Sequence, residues 1–332
     1  MSDYLLKGRR HFLAGLAAIC SILPVSFGPA MAQDYPDGPI QIIVAYAAGG
    51  GTDTLARLLA TPLSTELGQP VVVQNVPGGG GQVAAATVLR DGGDGLVILA
   101  TNQPDMQLAT SLNGAQYADG DLQVIMVDVK DPRVMLVRAD SDIASFDDFV
   151  ARAKAEPRKL AVSVAQGSAQ ELFAKWLFEA LDIEVGLVGY QGGGAAANAM
   201  LAGDVVATIG DDFARMNIRA EAKALLVGSA EQSPRWSEAP TMTVALAPYG
   251  VDLPSPEFLS RYGVYAVPAA FKSDHPEAYA KLQQAMIAAR NSQEFQQYLE
   301  ANRLQDLSLG VPGEDVEAIF AADFAEVGNI GR

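Results

Sequence analysis

One cysteine and two histidines in 332 residues leave little of the usual catalytic equipment, and basic side chains are scarce as well. Each shortage removes a class of chemistry. With 23 Lys and Arg against 39 Asp and Glu, the formal charge is −16, so the clustered cations that a phosphate backbone requires are missing and no nucleic acid partner is expected. Cys20 is the single cysteine and lies in an apolar leader, so a cysteine nucleophile, a thiolate metal site and an intramolecular disulfide have no residues to use. A hydrophobic share of 49% with 19% charged residues argues against disorder and is enough for a large core.

The leader has the layout of an export signal. Lys7, Arg9 and Arg10 precede a nearly uncharged stretch from Phe12 to Phe27, and Ala30-Met31-Ala32 offers small residues for cleavage before Gln33. Arg9-Arg10-His11-Phe12-Leu13 resembles a twin-arginine signal, although Gly8 stands where Ser or Thr is usual, and the general secretory route stays open. Pro24 and Gly28 interrupt the stretch and argue against a membrane anchor. Ile19 before Cys20 argues against lipidation. Removing residues 1–32 would leave 300 residues with 20 Lys and Arg against 38 Asp and Glu, a net charge of −18, and His275 as the lone histidine. Asp274 and Glu277 flank that histidine as a capping pair, which predicts a helix start there. No G-x-S-x-G or H-E-x-x-H motif occurs, so an enzyme would have to work through carboxylates or lysine. No cofactor or metal is expected.

What is present is an alternation of short apolar runs, glycine turns and helical periods. Ile40 to Ala45 reads as a buried strand, then Gly49-Gly50-Gly51 leads into a helix from Thr52 to Leu67 with Leu55, Leu58, Leu59 and Leu63 on one face. Val71 to Val73, a helix over Gln82 to Leu89, and Leu96 to Ala100 continue the pattern. Leu122 to Val127 and Arg133 to Val137 read as two further strands. Ser145 caps a short helix, and the pattern restarts with a strand at Leu160 to Val164. A helix to Leu181, strands at Glu184 to Val188, Val205 to Ile209 and Ala224 to Val227, and a helix to Leu201 follow. Tyr262 to Val267 is a late strand, with helices after it and a second capping pair at Asn291 and Glu294. The expectation is an α/β fold of two lobes, each a parallel-rich sheet flanked by helices, with the two sheets separate.

Ten of the 32 glycines sit in three strand-to-helix turns, at 49–51, 78–81 and 192–194. Glycine lets main-chain N–H groups approach a ligand, and a helix start adds free donors and the positive end of a dipole, so an anion can be held there. Tight turning and helix packing explain any one such turn equally well. Gly79-x-Gly81-x-x-Ala84 loosely matches a dinucleotide fingerprint, but Leu99 and Ala100 stand where an acidic residue belongs, and no G-K-[ST] follows any glycine run. Asp53 and Thr52 are candidate helix caps or ligand contacts. Tyr46 is a candidate ligand wall or core aromatic. Ser168 with Glu171 reads as a capping box, with a ligand role for Ser168 second. Asp211 and Asp212 either cap a helix or hold a cation or a bridging water; spaced oxygen ligands for Ca²⁺ are missing.

Several of these segments together resemble the periplasmic solute-binding receptors of the tripartite tricarboxylate transporters. They are Ala47-Ala48-Gly49-Gly50-Gly51-Thr52-Asp53, Leu67-Gly68-Gln69-Pro70-Val71-Val72-Val73, Asn75-Val76-Pro77-Gly78-Gly79-Gly80-Gly81, Tyr190-Gln191-Gly192-Gly193-Gly194-Ala195 and Ala239-Pro240-Thr241. The resemblance implies a type II-like periplasmic binding fold. Lobe one would comprise 35–140 plus 260–332 and lobe two 141–259, closing on a small organic carboxylate, with the ligand then passed to membrane transporter subunits. It implies a periplasmic monomer without catalytic activity. The implied ligand contacts are Tyr46, Ala48, Gly49, Gly50, Thr52 and Asp53 in the first loop, with Asn102 beyond the third strand. Gln166, Gly167, Ser168, Ala169 and Gln170 form the second loop, and Gly192, Gly193 and Asp211 complete the set. Two departures stand out: Ala45 where the family commonly has proline, and Gln170-Glu171 where a histidine is frequent. A carboxylate at Glu171 would repel an anionic ligand if it faced the cleft, so monocarboxylates, aromatic acids and ligands bearing a positive group all stay open. A membrane-linked ligand sensor, or a secreted α/β enzyme using Asp53, Asp211 or Asp212, are the competing functions.

Overall fold

A computed structural model describes residues 35–321 apart from 112, 230 and 254–259. The expected export signal, with Cys20 and His11, lies outside the described residues, as does the end of the chain from 322. No helix among the described residues is long and apolar enough to cross a membrane.

The chain opens with strand β1 (Ile40–Val44), helix α1 (Gly51–Leu67), β2 (Val71–Asn75), α2 (Gln82–Asp91) and β3 (Val97–Gln103). Both β2 and β3 pair with β1 in parallel, as the strand–turn–helix repeat demands. Leu55, Leu59 and Leu63 of α1 are buried against this sheet, each stabilising it by roughly 1.5–3 kcal/mol relative to exposure. Gly68 ends α1 at a φ of 67°, where any side chain would be strained. A short helix α3 (Asp105–Ser111), not anticipated from the sequence, follows β3. Next comes β4, one strand of 17 residues from Leu122 to Arg138, in place of the two expected. The polar Lys130-Asp131-Pro132-Arg133 segment looks like a break, but the backbone stays extended and only its partners change there. Residues up to Pro132 pair with the late strand β9, and residues from Arg133 pair with β7 and β8.

Past β4 the order is α4 (Phe146–Ala155), β5 (Ala161–Ala165), α5 (Ala169–Ala180), β6 (Gly186–Tyr190), α6 (Gly193–Ala202), β7 (Ala207–Asp211), β8 (Ala222–Val227) and α7 (Met242–Leu246). Here β5 pairs in parallel with both β6 and β7. The chain closes with β9 (Ser260–Pro268), α8 (Ala269–Asp274), α9 (Pro276–Arg290), α10 (Gln293–Ala301) and β10 (Ser308–Pro312). Strand β9 pairs antiparallel with β3 and with β4, and β10 adds to β4. The expectation of two separate sheets is therefore corrected: β4 belongs to both, and ten strands form one hydrogen-bonded network. The fold remains two curled, mixed sheets flanked by helices, the type II periplasmic binding arrangement, with β4 running through both.

Two helix starts sit one or two residues from their expected positions. Ser145 caps α4 as expected, accepting from the Asp148 N–H. Ser292, not Asn291, caps α10. Helix α9 begins at Pro276 after His275, and Asp274 makes no cap there; proline at the first position needs no N–H partner. The His275 ring lies 6.0 Å from Phe271, in a structural role.

Candidate ligand-binding site

The ends of β1, β3, β5 and β7 and the middle of β4 converge on two adjoining cavities. The first, about 40 Å³, has room for about three water-sized groups or one carboxylate. Its walls come from the turn before α1, from the starts of α5 and α6, and from side chains of β4, β7 and β9. The second, about 360 Å³, lies between the Gly78–Gly81 turn and the loop before α5. Tyr46, Ala165, Ser168 and Gly192 border both.

Most of the residues singled out in the sequence meet here. Tyr46, Gly50, Thr52, Asn102, Ser168, Gln170, Gly192, Gly193 and Asp211 line the first cavity, and Gln166 and Gly167 line the second. Four others do not line either. Ala48 and Gly49 are exposed at the tip of the turn. Asp53 is buried beneath it, accepting from the Gly49 N–H at 2.9 Å and from Asn75 Nδ2 at 2.9 Å while pairing with Arg57 at 2.9 Å. Burial acts to raise its pKa, yet Arg57, Gly49 and Asn75 together hold it below the ordinary value. The Ala169 N–H, a free donor at the start of α5, is taken by Asp105 Oδ1 at 2.7 Å. Asp105 Oδ2 accepts from the Tyr46 hydroxyl at 2.8 Å.

Glu171 faces away from both cavities. Its Oε2 accepts from the Gly167 N–H at 2.8 Å and its Oε1 pairs with Lys175 at 2.6 Å. Burial acts to raise its pKa, but Lys175 and Gly167 hold the group below its ordinary value. Ser168 caps α5 by accepting from the Gln170 N–H at 3.2 Å, but Glu171 accepts from the Gly167 N–H, so the reciprocal bonds of the expected capping box are each displaced by one residue and the box does not close. Asp211 and Asp212 separate. Asp212 is buried elsewhere against Arg235 at 2.5 Å, and neither residue caps the following 3₁₀ turn; Asp131 does, accepting from the Phe213 N–H at 2.8 Å.

The residues missed in the sequence are arginines. Arg133 from β4, Arg261 from β9 and Arg215 from the 3₁₀ turn after β7 all line the first cavity, each nearly inaccessible to solvent. Arg133 bonds Asp211 Oδ1. Arg261 bridges Asp211 at 3.0 Å, Asp131 at 2.8 Å and Asn102 at 2.8 Å. Burial acts to raise the pKa of Asp211, but Arg133, Arg261 and Arg215 hold it below the ordinary value, so it stays ionised. For Asp105 burial wins over Arg133, Ala169 and Tyr46, and the pKa rises. Arg215 has its pKa lowered chiefly by burial. The signal was available: Arg133 interrupts an apolar strand and Arg261 opens one, positions where a charge is costly unless it is used. Among the described residues, no group of three His, Cys, Asp or Glu is placed to hold a metal ion.

Comparison with known proteins gives a consistent result. Residues 55–311 match the model of the tripartite tricarboxylate transporter family receptor. Protein BugT of Bordetella pertussis is 31% identical over 256 residues, covering 74% of this chain and 76% of that protein. A protein encoded in the gbd 5′ region of Cupriavidus necator is 31% identical over 261 residues, covering 74% and 79%. Among solved structures, MatC from Rhodopseudomonas palustris with bound malate has a TM-score of 0.77 at 20% identity, covering 90% of this chain and 100% of that one. An R. palustris protein with adipate has a TM-score of 0.77 at 23% identity, covering 90% and 98%. The chain belongs to the tripartite tricarboxylate transporter receptor family, and is a periplasmic solute-binding protein rather than an enzyme.

Proposed function

We propose that the chain, acting as a monomer, binds a small organic carboxylate between two lobes and delivers it to the membrane subunits of a tripartite transporter. Lobe one would comprise 35–140 plus 260–332 and lobe two 141–259, flexing where β4 runs through both sheets. The observation that carries the reading is an arginine-walled cavity inside a protein of charge −16. Such a concentration of buried cations at the meeting point of glycine turns suits an anion, and the low local polarizability strengthens it. Relatives of the same fold hold malate and adipate, which supports an organic acid as ligand class.

Of the candidate contacts, Tyr46, Thr52, Asn102, Ser168, Gln170, Gly192 and Gly193 would face the ligand directly. Asp53 would act from behind, fastening the turn that holds Gly50 in place. Screening mono-, di-, tri- and aromatic acids by thermal shift tests the reading, because a ligand that binds the native state raises its melting temperature. At least one acid should raise it in proportion to concentration. If every acid leaves it unmoved, the carboxylate reading fails.

A further inference from the structure

Resting on that reading, we propose that the ligand is a singly charged carboxylate with an uncharged body. Its carboxylate would sit on Arg215 and the open face of Arg133, and its body would extend into the second cavity.

The first cavity has donors without partners, whereas each of its side-chain carboxylates already takes protein donors. Arg215 Nε, Arg133 Nε and Arg133 Nη2 are buried without a hydrogen-bond partner. Arg215 bonds only the Ala214 carbonyl, at 3.0 Å, and pairs with no carboxylate among the described residues. The acceptors nearby are already engaged. Asp211 takes Arg133, Arg261 and Gln170, Asp105 takes Tyr46 and Ala169, and Asn102 takes Thr52 and Arg261. A group entering this space must therefore accept hydrogen bonds. An ammonium would stand against three guanidinium groups and would have to share Asp211 with Arg133, Arg261 and Gln170, and Asp105 with Tyr46 and Ala169.

The fold leaves room for Arg215 deliberately. A Cβ on Gly193 would stand 2.0 Å from its Nη2, and one on Gly210 would stand 2.5 Å from its Nε. Two glycines thus clear the space that the guanidinium fills. Of the three cavity arginines it alone makes no direct ion pair, with Asp211 and Asp131 acting on it only at longer range, so a ligand carboxylate would be its first direct partner.

The second cavity has a different character. The Gly78–Gly81 turn, Gln82, Asn113, Gln166 and Gln191 face it, and no ionisable side chain other than Tyr46 does. A second carboxylate there would find no cationic side chain, whereas a hydroxyl, an amide or a hydrocarbon would meet amide groups and glycine backbone.

Titration calorimetry on the mature protein with two matched series tests this: hexanoate, adipate and 2-aminohexanoate, then benzoate, terephthalate and 4-(aminomethyl)benzoate. The monocarboxylate of at least one series should bind about tenfold or more tighter than its dicarboxylate and its amino acid. Arg215→Gln should weaken that binding by about 30-fold or more, with Arg215→Lys recovering part of it. In the ligand-free protein the same Arg215→Gln should leave the melting temperature unchanged or raised, because it removes an unpaired buried charge. A merely structural arginine would lower it. Tighter binding of the dicarboxylate or the amino acid, or unchanged affinity in Arg215→Gln, overturns the inference and leaves carboxylate binding intact. Failure of every acid, in these series and in the screen, contradicts both.

Discussion

At the scale of single residues, the site divides into groups that face the cavity and groups that hold those in place. Asp53 is of the second kind. Its three partners leave no oxygen for a ligand, so Asp53→Ala should destabilise the protein by about 1–3 kcal/mol, seen in urea unfolding, and weaken ligand binding only through the loosened turn. A wild-type melting temperature in that variant would remove it from the account. Asp53 and Glu171 both have folded pKa values below their ordinary ones. The stability they contribute is therefore present above the unfolded value near 4 and lost as pH falls through the folded one. Melting temperatures should fall as pH drops below about 4.5, and Asp53→Asn should flatten that part of the decline. The glycines, Tyr46, Ser168 and Asp211 were legible in the sequence because turns and helix starts leave local signatures. For Arg133 and Arg261 the sequence offered only a charge in an apolar strand; that they share a cavity with Arg215 comes from the pairing of β4 with β7 and β9 and from the 3₁₀ turn after β7, which no local pattern reports.

Helix starts make the site at the scale of elements. Helix α6 begins on Gly193-Gly194, and the two glycines have different reasons to be there. Gly194 has nothing within 4 Å of where a Cβ would stand, so Gly194→Ala should raise stability by about 0.5–1 kcal/mol, as alanine does inside helices. Gly193→Ala drives a methyl into Arg215 and should cost most of the ligand affinity while the protein still folds. Wild-type affinity in Gly193→Ala would show that Arg215 can move aside freely. Strand β4 teaches why boundaries were harder to read than elements. Pro132 cannot donate to a ladder, and the polar residues around it mimic a turn. In the fold Pro132 sits where the ladder changes partners, and its carbonyl accepts from the Asp212 N–H at 2.8 Å, so its missing donor is not needed. Similarly, Asn291 and Asp274 are good cap residues that the fold uses to end the preceding helices, Asn291 following α9 and Asp274 closing α8, so the next helices start after Ser292 and His275.

For the whole molecule, the question is how the halves of the site come together. Gly80 and the Gly167 carbonyl are close enough that a Cβ on Gly80 would lie 2.8 Å from that oxygen, and Asn113 Nδ2 donates to the same carbonyl at 2.9 Å. Asp105 reaches the start of α5 and Arg261 reaches Asp211, while Leu108 and Phe213 each pack into the apolar cluster of the opposite part. Under the proposed lobe closure, a ligand that bridges both parts would shift the equilibrium between open and closed forms. Asn113→Ala should weaken ligand affinity by about 0.5–1.5 kcal/mol, mainly through faster release. The two-layer α/β pattern was visible from sequence because strands and helices alternate with glycine turns between them. The union of both sheets through β4 depends on pairing between residues more than 100 positions apart, which no local pattern reports.

The most direct test follows the carboxyl carbon itself. An acid chosen from the thermal-shift screen, labelled with ¹³C at its carboxyl, can be titrated in the bound state by NMR. Held by a buried guanidinium, the bound carboxylate should remain ionised at pH values well below its free pKa. Protonation at or above the free pKa would mean that no buried cation holds it, and the arginine-walled cavity would not be where the ligand sits.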